Sequence, residues 1–177
     1  AAVANEAAID IDAIATAGAG CLEGTVSKSI EVLPSGALKI DLEFSEYNVL
    51  VGYEKTLDRK NCALAISISL AANQKLKVAR ITLRTDGVLA EDSKSVLRAE
   101  VFTAGSQGPI IAREIQPDQE LQGRFLLKGK DILETECGAQ VNLRVNSSIL
   151  INSQGTGNES GLSAASMTLI LTAEACN

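Results

Sequence analysis

The side chains of this sequence that could do chemistry are its carboxylates, a short basic cluster and four cysteines, because the chain contains no histidine. Glycoside hydrolysis needs only two carboxylates, one on each side of the scissile bond. Three acid pairs lie close enough in sequence to be weighed for that role: Glu43 with Glu46, Glu91 with Asp92, and Glu134 with Glu136. Nothing in their surroundings predicts burial, so we interpret them as solvated surface charge and predict that the protein is not an enzyme.

Composition removes several other classes of function. Without histidine there is no Ser-His-Asp or Cys-His catalysis and no histidine-ligated metal site. A net charge of −6 disfavours nucleic acid, which is bound through Lys and Arg. With no Trp, two Tyr and three Phe, the chain offers few rings on which sugars or bases can stack. We predict no cofactor, no metal and no nucleic-acid partner.

Two local clusters have both a functional and a structural interpretation. Arg59-Lys60-Asn61 could bind an anion, but we interpret it as a turn in which the asparagine bonds to backbone groups and the arginine pairs with a carboxylate. Asp10 and Asp12 offer the oxygen ligands that calcium prefers. The complete calcium-loop pattern is absent around them, so we predict no calcium site there.

The cysteines are widely dispersed and indicate disulfide bonds. None forms a Cys-x-x-Cys pair, which argues against a zinc ribbon or a thioredoxin-like site. An even number of dispersed cysteines is typical of an oxidising compartment. Four cysteines allow three connectivities, and the sequence does not choose among them. The pairing that we expect is Cys21–Cys62 with Cys137–Cys176, each closing a loop of about 40 residues.

The beginning of the chain is consistent with export. It starts Ala-Ala-Val-Ala, with no methionine, no basic stretch and no apolar run, which we interpret as a mature N-terminus left after removal of a signal peptide. No segment approaches the roughly 18 apolar residues of a membrane-spanning helix. We predict a secreted protein, extracellular or at the cell surface, without a membrane span.

Period-2 alternation of apolar and polar residues dominates the sequence. Residues 37–44 show it most clearly and predict a half-buried strand. Similar patterns predict strands over 26–32, 47–53, 62–70, 76–84, 95–103, 121–128, 141–146, 149–152 and 166–172. Turn residues such as Pro34-Ser35-Gly36 and Asp86-Gly87 separate them, and Lys130–Glu134 is a candidate for a short helix. We predict an all-β protein: an antiparallel β-sandwich, Ig-like or jelly-roll-like, with an N-terminal extended arm.

The arm comprises residues 1–18, and the sandwich domain comprises residues 19–177. Thr16–Gly20 is predicted to be a flexible joint. Such an arm could complete the open sheet edge of a neighbouring subunit, as in donor-strand complementation, and so build head-to-tail filaments. The side chains predicted to insert at that subunit interface, on one face of the strand, are Ile9, Ile11, Ala13 and Ala15. Pairing of the arm within its own domain is equally consistent with the sequence.

Two motifs carry a resemblance to a known family. Gly20-Cys21-Leu22-Glu23-Gly24-Thr25-Val26 and Arg59-Lys60-Asn61-Cys62 resemble motifs of small secreted Cys-containing β-rich proteins of unknown function from bacteria and filamentous fungi. The family's hairpin, later Cys-Gly and final cysteine correspond here to Pro34-Ser35-Gly36, Cys137-Gly138 and Cys176. The resemblance covers about residues 19–177. It implies secretion, disulfides and a β-rich fold, and it implies no chemistry.

These observations favour a structural role outside the cell. The leading hypothesis is a subunit of an extracellular filament or matrix that associates with copies of itself through the N-terminal arm. The alternative is a monomeric secreted binding module for carbohydrate or for a cell-surface partner.

Overall fold

The computed structural model describes residues 8–138 and 140–176 and contains eleven antiparallel strands in these residues. Within these residues none is helical, and the first seven residues of the predicted arm lie outside them. The strands are β1 (Ile9–Ala17), β2 (Val26–Val32), β3 (Leu38–Phe44), β4 (Asn48–Val51), β5 (Leu57–Leu70), β6 (Gln74–Leu89), β7 (Ser93–Thr103), β8 (Ile110–Ile115), β9 (Leu121–Glu134), β10 (Gln140–Ser153) and β11 (Ser160–Ala175).

The strands form two sheets that pack face to face. Sheet A has the order β1-β5-β10-β7-β8, and sheet B has the order β2-β3-β11-β6-β9. The short strand β4 also belongs to sheet B, where it pairs with the first residues of β11 while β3 pairs further along the same strand. The predicted antiparallel β-sandwich is therefore confirmed.

The core lies between the sheets and follows from the period of the strands. In β5, Leu64, Ile66 and Ile68 are buried, and the residues between them are small and partly exposed. Successive side chains of a strand point to opposite faces, so each apolar series covers the inner face of its sheet. Full burial of one such side chain contributes about 1.5–3 kcal/mol.

Long basic side chains close the two sides of the sandwich. At one side, Lys28 Nζ of β2 donates a hydrogen bond to the carbonyl oxygen of Ile14 in β1, at 2.8 Å. At the other, Arg113 Nη1 of β8 donates to the carbonyl oxygen of Leu126 in β9, also at 2.8 Å. Each bond joins the edge strand of one sheet to the edge strand of the other.

The structure corrects two expectations on local structure in sheet B and adds one strand to sheet A. Lys130–Glu134 is not helical but forms the end of β9, where Asp131 has a φ of 50° in a bulge that interrupts the alternation. Asp86-Gly87 is not a turn but lies within β6; a Cβ on Gly87 would come 2.0 Å from the carbonyl oxygen of Gly161, so the close approach of β11 requires glycine. Strand β8 was not predicted.

Both disulfides have the expected pairing. Cys21 and Cys62 are buried, with Cα atoms 5.3 Å apart, and they join the connection between β1 and β2 to β5. Cys137 and Cys176 have Cα atoms 6.2 Å apart and join the connection between β9 and β10 to the end of β11, near the surface. One bond therefore fastens the chain's first strand to the core, and the other fastens its last.

The chain leaves β1 through a tight corner beside the buried disulfide. Gly18 has a φ of +111°, and a Cβ at this position would lie 2.5 Å from the carbonyl oxygen of Asn61. That oxygen accepts a hydrogen bond from the Gly20 N–H at 2.9 Å. A Cβ on Gly20 would lie 2.5 Å from the Tyr47 ring. The predicted joint at Thr16–Gly20 therefore contains a closely packed corner in which two positions require glycine.

Tyr47 is the aromatic residue at the centre of this corner. Its ring meets Phe44 edge to face at a centroid distance of 5.2 Å. Its hydroxyl lies 3.0 Å from Ser147 Oγ of β10. Burial raises the pKa of Tyr47 to about 12, because the phenolate would be poorly solvated there.

Removal of the buried disulfide should show how much this corner contributes to stability. The double variant Cys21→Ala, Cys62→Ala is expected to lose about 4 kcal/mol or more of unfolding free energy, measured in urea. The double variant Cys137→Ala, Cys176→Ala is the matched control, since the sequence separations are 41 and 39 residues. Loop closure predicts similar losses, and the packing at the corner adds to the first. An equal or smaller loss for the buried pair would contradict this account.

A second prediction concerns alkaline pH. The folded pKa of Tyr47 lies near 12, above the ordinary value near 10, so its contribution to stability is complete below pH 10 and is lost as the pH rises through 12. Between pH 9 and pH 11 the protein should lose about 1 kcal/mol more unfolding free energy than the Tyr47→Phe variant. Urea unfolding of both proteins at the two pH values cancels the lysine titrations. Equal losses would show that Tyr47 ionises as freely in the folded protein as in the unfolded chain.

Candidate binding face

The outer face of sheet A presents side chains in rows that the strand register defines. One row contains Ala15 of β1, Ala65 of β5, Arg144 of β10 and Phe102 of β7. The next row contains Ala17, Ala63, Asn146 and Glu100. In both rows, methyl side chains occupy β1 and β5, and long polar or aromatic side chains occupy β10 and β7.

This division creates a depression, which we call the alanine trough. Side chains stand roughly perpendicular to a sheet, so strands that carry only alanine lie lower than strands that carry arginine and phenylalanine. The depression has a volume of about 540 Å³. Its lining consists of Ala15, Thr16, Ala17, Ala63, Leu64, Ala65, Phe102, Ala104, Gly105, Arg144 and Asn146. None of these residues is acidic.

A bulge in β1 turns the alanines outward. Ile11 pairs with Ile68 and Ala13 with Ser67, so Asp12 is an extra residue in the strand. Before the bulge, Ile9 and Ile11 face inward; after it, Ile14 faces inward. The bulge thus places an isoleucine against the core where unbroken alternation would place an alanine, and burial favours the larger apolar side chain.

This register changes the expectation for the arm. Ile9 and Ile11 lie on the inner face of β1, and Ala13 and Ala15 lie on the outer face, so the four residues do not share a face. In this chain β1 pairs with β5 of its own sheet. A role of these residues at a subunit interface stays a prediction.

The polar wall of the trough is available to a ligand. Arg144 and Phe102 are directly opposite each other on neighbouring strands, which places their Cβ atoms about 5 Å apart. The six ion pairs among the described residues do not include Arg144. Arginine offers five N–H donors in a planar fork, the Asn146 amide offers both donors and an acceptor, and phenylalanine offers an apolar ring.

The acid pairs do not line the trough, and two of their members, Glu134 and Asp92, have structural partners. Glu134 forms an ion pair with Lys75. Asp92 Oδ2 accepts hydrogen bonds from the Thr156 hydroxyl and, at 3.4 Å, from Ser153 Oγ, which ties the turn between β6 and β7 to the loop after β10. The hydroxyl of Thr156 lowers the pKa of Asp92 by bonding to its charged form. Glu43 is an exposed residue of β3.

Arg59-Lys60-Asn61 lies within β5 and not in a turn. Lys60 Nζ donates to the carbonyl oxygen of Glu46 at 3.2 Å, and the backbone oxygen of Asn61 receives the Gly20 N–H at the disulfide corner. The motif leads directly into Cys62, so its contacts are those of the fold.

The two aspartates of the arm do not share a ligand. Asp12 Oδ2 accepts a hydrogen bond from Ser69 Oγ at 2.6 Å, and Asp10 is exposed in the row beside Ser69. Within residues 8–138 and 140–176, no three His, Cys, Asp or Glu side chains are grouped so that they could hold a metal ion.

No helix capable of crossing a membrane occurs in the part of the chain that the structure describes.

Sequence reasoning missed the trough residues Phe102, Arg144 and Asn146. A signal for them does exist in the sequence. The outward series of β10 is Asn142, Arg144, Asn146 and Ser148, and the outward series of β5 is Ala63, Ala65, Ser67 and Ser69. A polar series of amides and arginine beside a series of alanine and serine differs from the mixed Lys and Glu of an ordinary solvated face. Placing the two series side by side requires the register, which the sequence does not provide.

Comparison with known sequences identifies one family. The sequence profile of DUF4360, a domain of unknown function, matches residues 7–175. No curated protein matches the sequence significantly.

Comparison with solved structures finds matches of low similarity. A carbohydrate-binding module that recognises mannan, TmCBM27, has a TM-score of 0.34 and 10% identity, over 93% of this chain and 98% of that one. TmCBM61 in complex with β-1,4-galactotriose has a TM-score of 0.30 and 12% identity, over 93% and 89%. A protein of infectious bursal disease virus has a TM-score of 0.33 and 12% identity, over 92% and 32%.

Proposed function

The chain belongs to the DUF4360 family, and we propose that it is a secreted, non-catalytic binding module that holds a carbohydrate chain in the alanine trough. The observation that carries the proposal is the division of the outer face of sheet A into a floor of alanines and a wall with Arg144, Asn146 and Phe102. The two disulfides are consistent with an extracellular location.

The trough has the physical properties that a sugar requires. A sugar ring has an apolar C–H face and a periphery of hydroxyl groups. The floor of methyl groups and the ring of Phe102 can cover the apolar face, while Arg144 and Asn146 can bond to the hydroxyls. A volume of about 540 Å³ suits a short segment of such a chain. The trough is open along β1 and β5, so a longer polymer can extend beyond it.

The lining also supports binding without hydrolysis. Glycosidases use two carboxyl groups about 5–10 Å apart across the scissile bond. No carboxylate lines the trough, and Glu100 stands alone in the neighbouring row.

The test is binding of neutral glycans by the wild-type protein and by single variants of the trough. Phe102→Ala and Arg144→Ala should each weaken binding about tenfold, because each removes a main contact of the wall. Both residues lie on the outer face, so the unfolding free energy should change by about 0.5 kcal/mol or less. Affinity electrophoresis in gels that contain mannan, galactan or β-glucan gives the affinities, and thermal unfolding gives the stabilities.

Arg80→Ala is the matched control, because Arg80 lies on the outer face of sheet B. It should leave neutral-glycan binding unchanged. The proposal would be wrong if the wild-type protein bound none of the glycans, or if Arg80→Ala weakened binding as much as Arg144→Ala.

Filament assembly through the arm is the second candidate, and the position of β1 favours it. This strand is at the edge of sheet A, pairs only with β5 among the described strands, and has Ile9 as its one fully buried residue. A β1 from a second copy could pair with β5 in the same register, since the contacts would be identical. The exchanged strand would then complete the trough of the copy that receives it.

Strand exchange predicts a dependence of assembly on the arm. The full chain should form filaments, and a variant lacking residues 1–18 should remain monomeric, because it has no strand to donate. Negative-stain microscopy with light scattering distinguishes these states. Monomers from both proteins, at high concentration and after refolding, would contradict assembly by strand exchange.

A further inference from the structure

We propose a second binding surface on the opposite side of the sandwich, where Arg80, Lys128 and Lys130 of sheet B bind an extended anionic polysaccharide. These three residues on the outer face of β6 and β9 are called the basic face. The proposal is independent of the trough, since the two surfaces lie on different sheets.

The register brings the three cations together. Arg80 of β6 is directly opposite Lys130 of β9, and in the next row Thr82 is opposite Lys128. Paired residues are about 5 Å apart, and successive outward residues of one strand are about 7 Å apart. Like charges directly opposite each other destabilise a sheet. The fold therefore tolerates a repulsion here that a bound anion would remove.

The nearby acidic side chains are engaged elsewhere. Asp131 Oδ1 pairs with Lys77 Nζ at 3.1 Å, and Glu134 pairs with Lys75. The six ion pairs that the described residues form include none of the three cations of the basic face.

The remaining neighbours leave the positive charge uncompensated. On the other side of β6, Ile170 of β11 pairs with Arg80, and Thr168 pairs with Thr82, so β11 adds no charge to these rows. One row further along β6, Arg84 forms an ion pair with Asp86, in which Arg84 Nε lies 3.8 Å from Asp86 Oδ2. The uncompensated positive charge is therefore confined to the three cations of the basic face.

The shape of the basic face suits a chain more than a single small ion. A depression of about 380 Å³ lies between the cations and is lined by Arg80, Thr82, Lys128, Gly129 and Lys130. Gly129 lies between the two lysines but faces inward, where a Cβ would come 2.4 Å from Ile111 Cδ1, so the two lysines are the side chains that β9 presents outward here. Cations about 5–7 Å apart in two rows can contact successive anionic groups of an extended polymer.

The distribution of charge favours a polysaccharide over nucleic acid. The protein has a net charge of −6, and β3, on the same outer face, carries Asp41 and Glu43. Duplex DNA carries a charge about every 1.7 Å and needs a broad positive footprint. A thin polymer with one carboxylate or phosphate per unit can follow β6 and β9 and avoid the acidic strands.

The test compares two variants of equal net charge. Arg80→Gln, Lys128→Gln, Lys130→Gln removes the basic face, and Lys55→Gln, Lys60→Gln, Lys94→Gln removes three lysines outside it. Binding is measured at low salt by affinity electrophoresis with polygalacturonate, which carries carboxylates, and with phosphomannan, which carries phosphates. Mannan serves as the neutral polymer and duplex DNA as the competing class. Thermal unfolding verifies that both variants are folded.

The wild-type protein should bind at least one anionic polymer, and loss of the basic face should weaken that binding about tenfold or more and reduce its salt dependence. Whichever of the two anionic polymers binds identifies carboxylate or phosphate as the ligand group. The lysine control should bind the anionic polymer as the wild type does. The proposal is overturned if neither anionic polymer binds, if loss of the basic face leaves binding unchanged, if the lysine control loses binding equally, or if DNA binds as tightly. Failure of mannan binding alone bears on the trough and not on this surface.

Discussion

The pairing of β1 with β5 is the contact on which the outer face of sheet A depends. Without it, β5 would be an edge strand and the trough would lose half of its floor. The pairing is fastened at its C-terminal end, where the chain turns at Gly18 and the Cys21–Cys62 bond joins the corner to β5. Packing of Tyr47 against Gly20 fills the space inside that corner. A covalent bond, a tight turn and a buried ring thus hold the strand that a candidate ligand would contact.

The sandwich separates stability from recognition by face. Inner faces hold the aliphatic core, and the sides are closed by Lys28 and Arg113, whose charged ends bond to backbone carbonyls of the opposite sheet. The outer faces carry the groups that the fold does not use. Arg144 has no ion pair among the described residues, and Arg80 stands opposite another cation. Because exposed arginines without an ion-pair partner contribute little to folding, their side chains remain free to bind a ligand.

Local alternation in the sequence predicts most of the strands, because a strand buried on one face must repeat every two residues. It predicted the core series of β5 and the hairpin at Pro34-Ser35-Gly36. The expected disulfide pairing is the one observed, although the sequence alone does not choose among the three possible connectivities. Alternation did not predict the bulges at Asp131 and Asp12, where the inward and outward positions of the strand change places. It also did not predict that Gly87 lies within a strand, because the contact that requires glycine there is with Gly161 of β11, which is distant in sequence. The trough could not be predicted, since its rows join residues from four strands whose register is set by long-range pairing.

The extra residue at Asp12 also determines how β1 tolerates insertions and deletions. A strand with a bulge contains one residue more than the partner strand requires. Loss of a single codon at position 12 or 13 would restore regular alternation and leave Ile14 opposite Ile66, with the following alanines still facing outward. Deletion of a second residue would find no extra residue left to remove, and it would exchange the inward and outward faces of part of the strand. The length of this short segment therefore constrains the surface more strictly than the identity of its side chains.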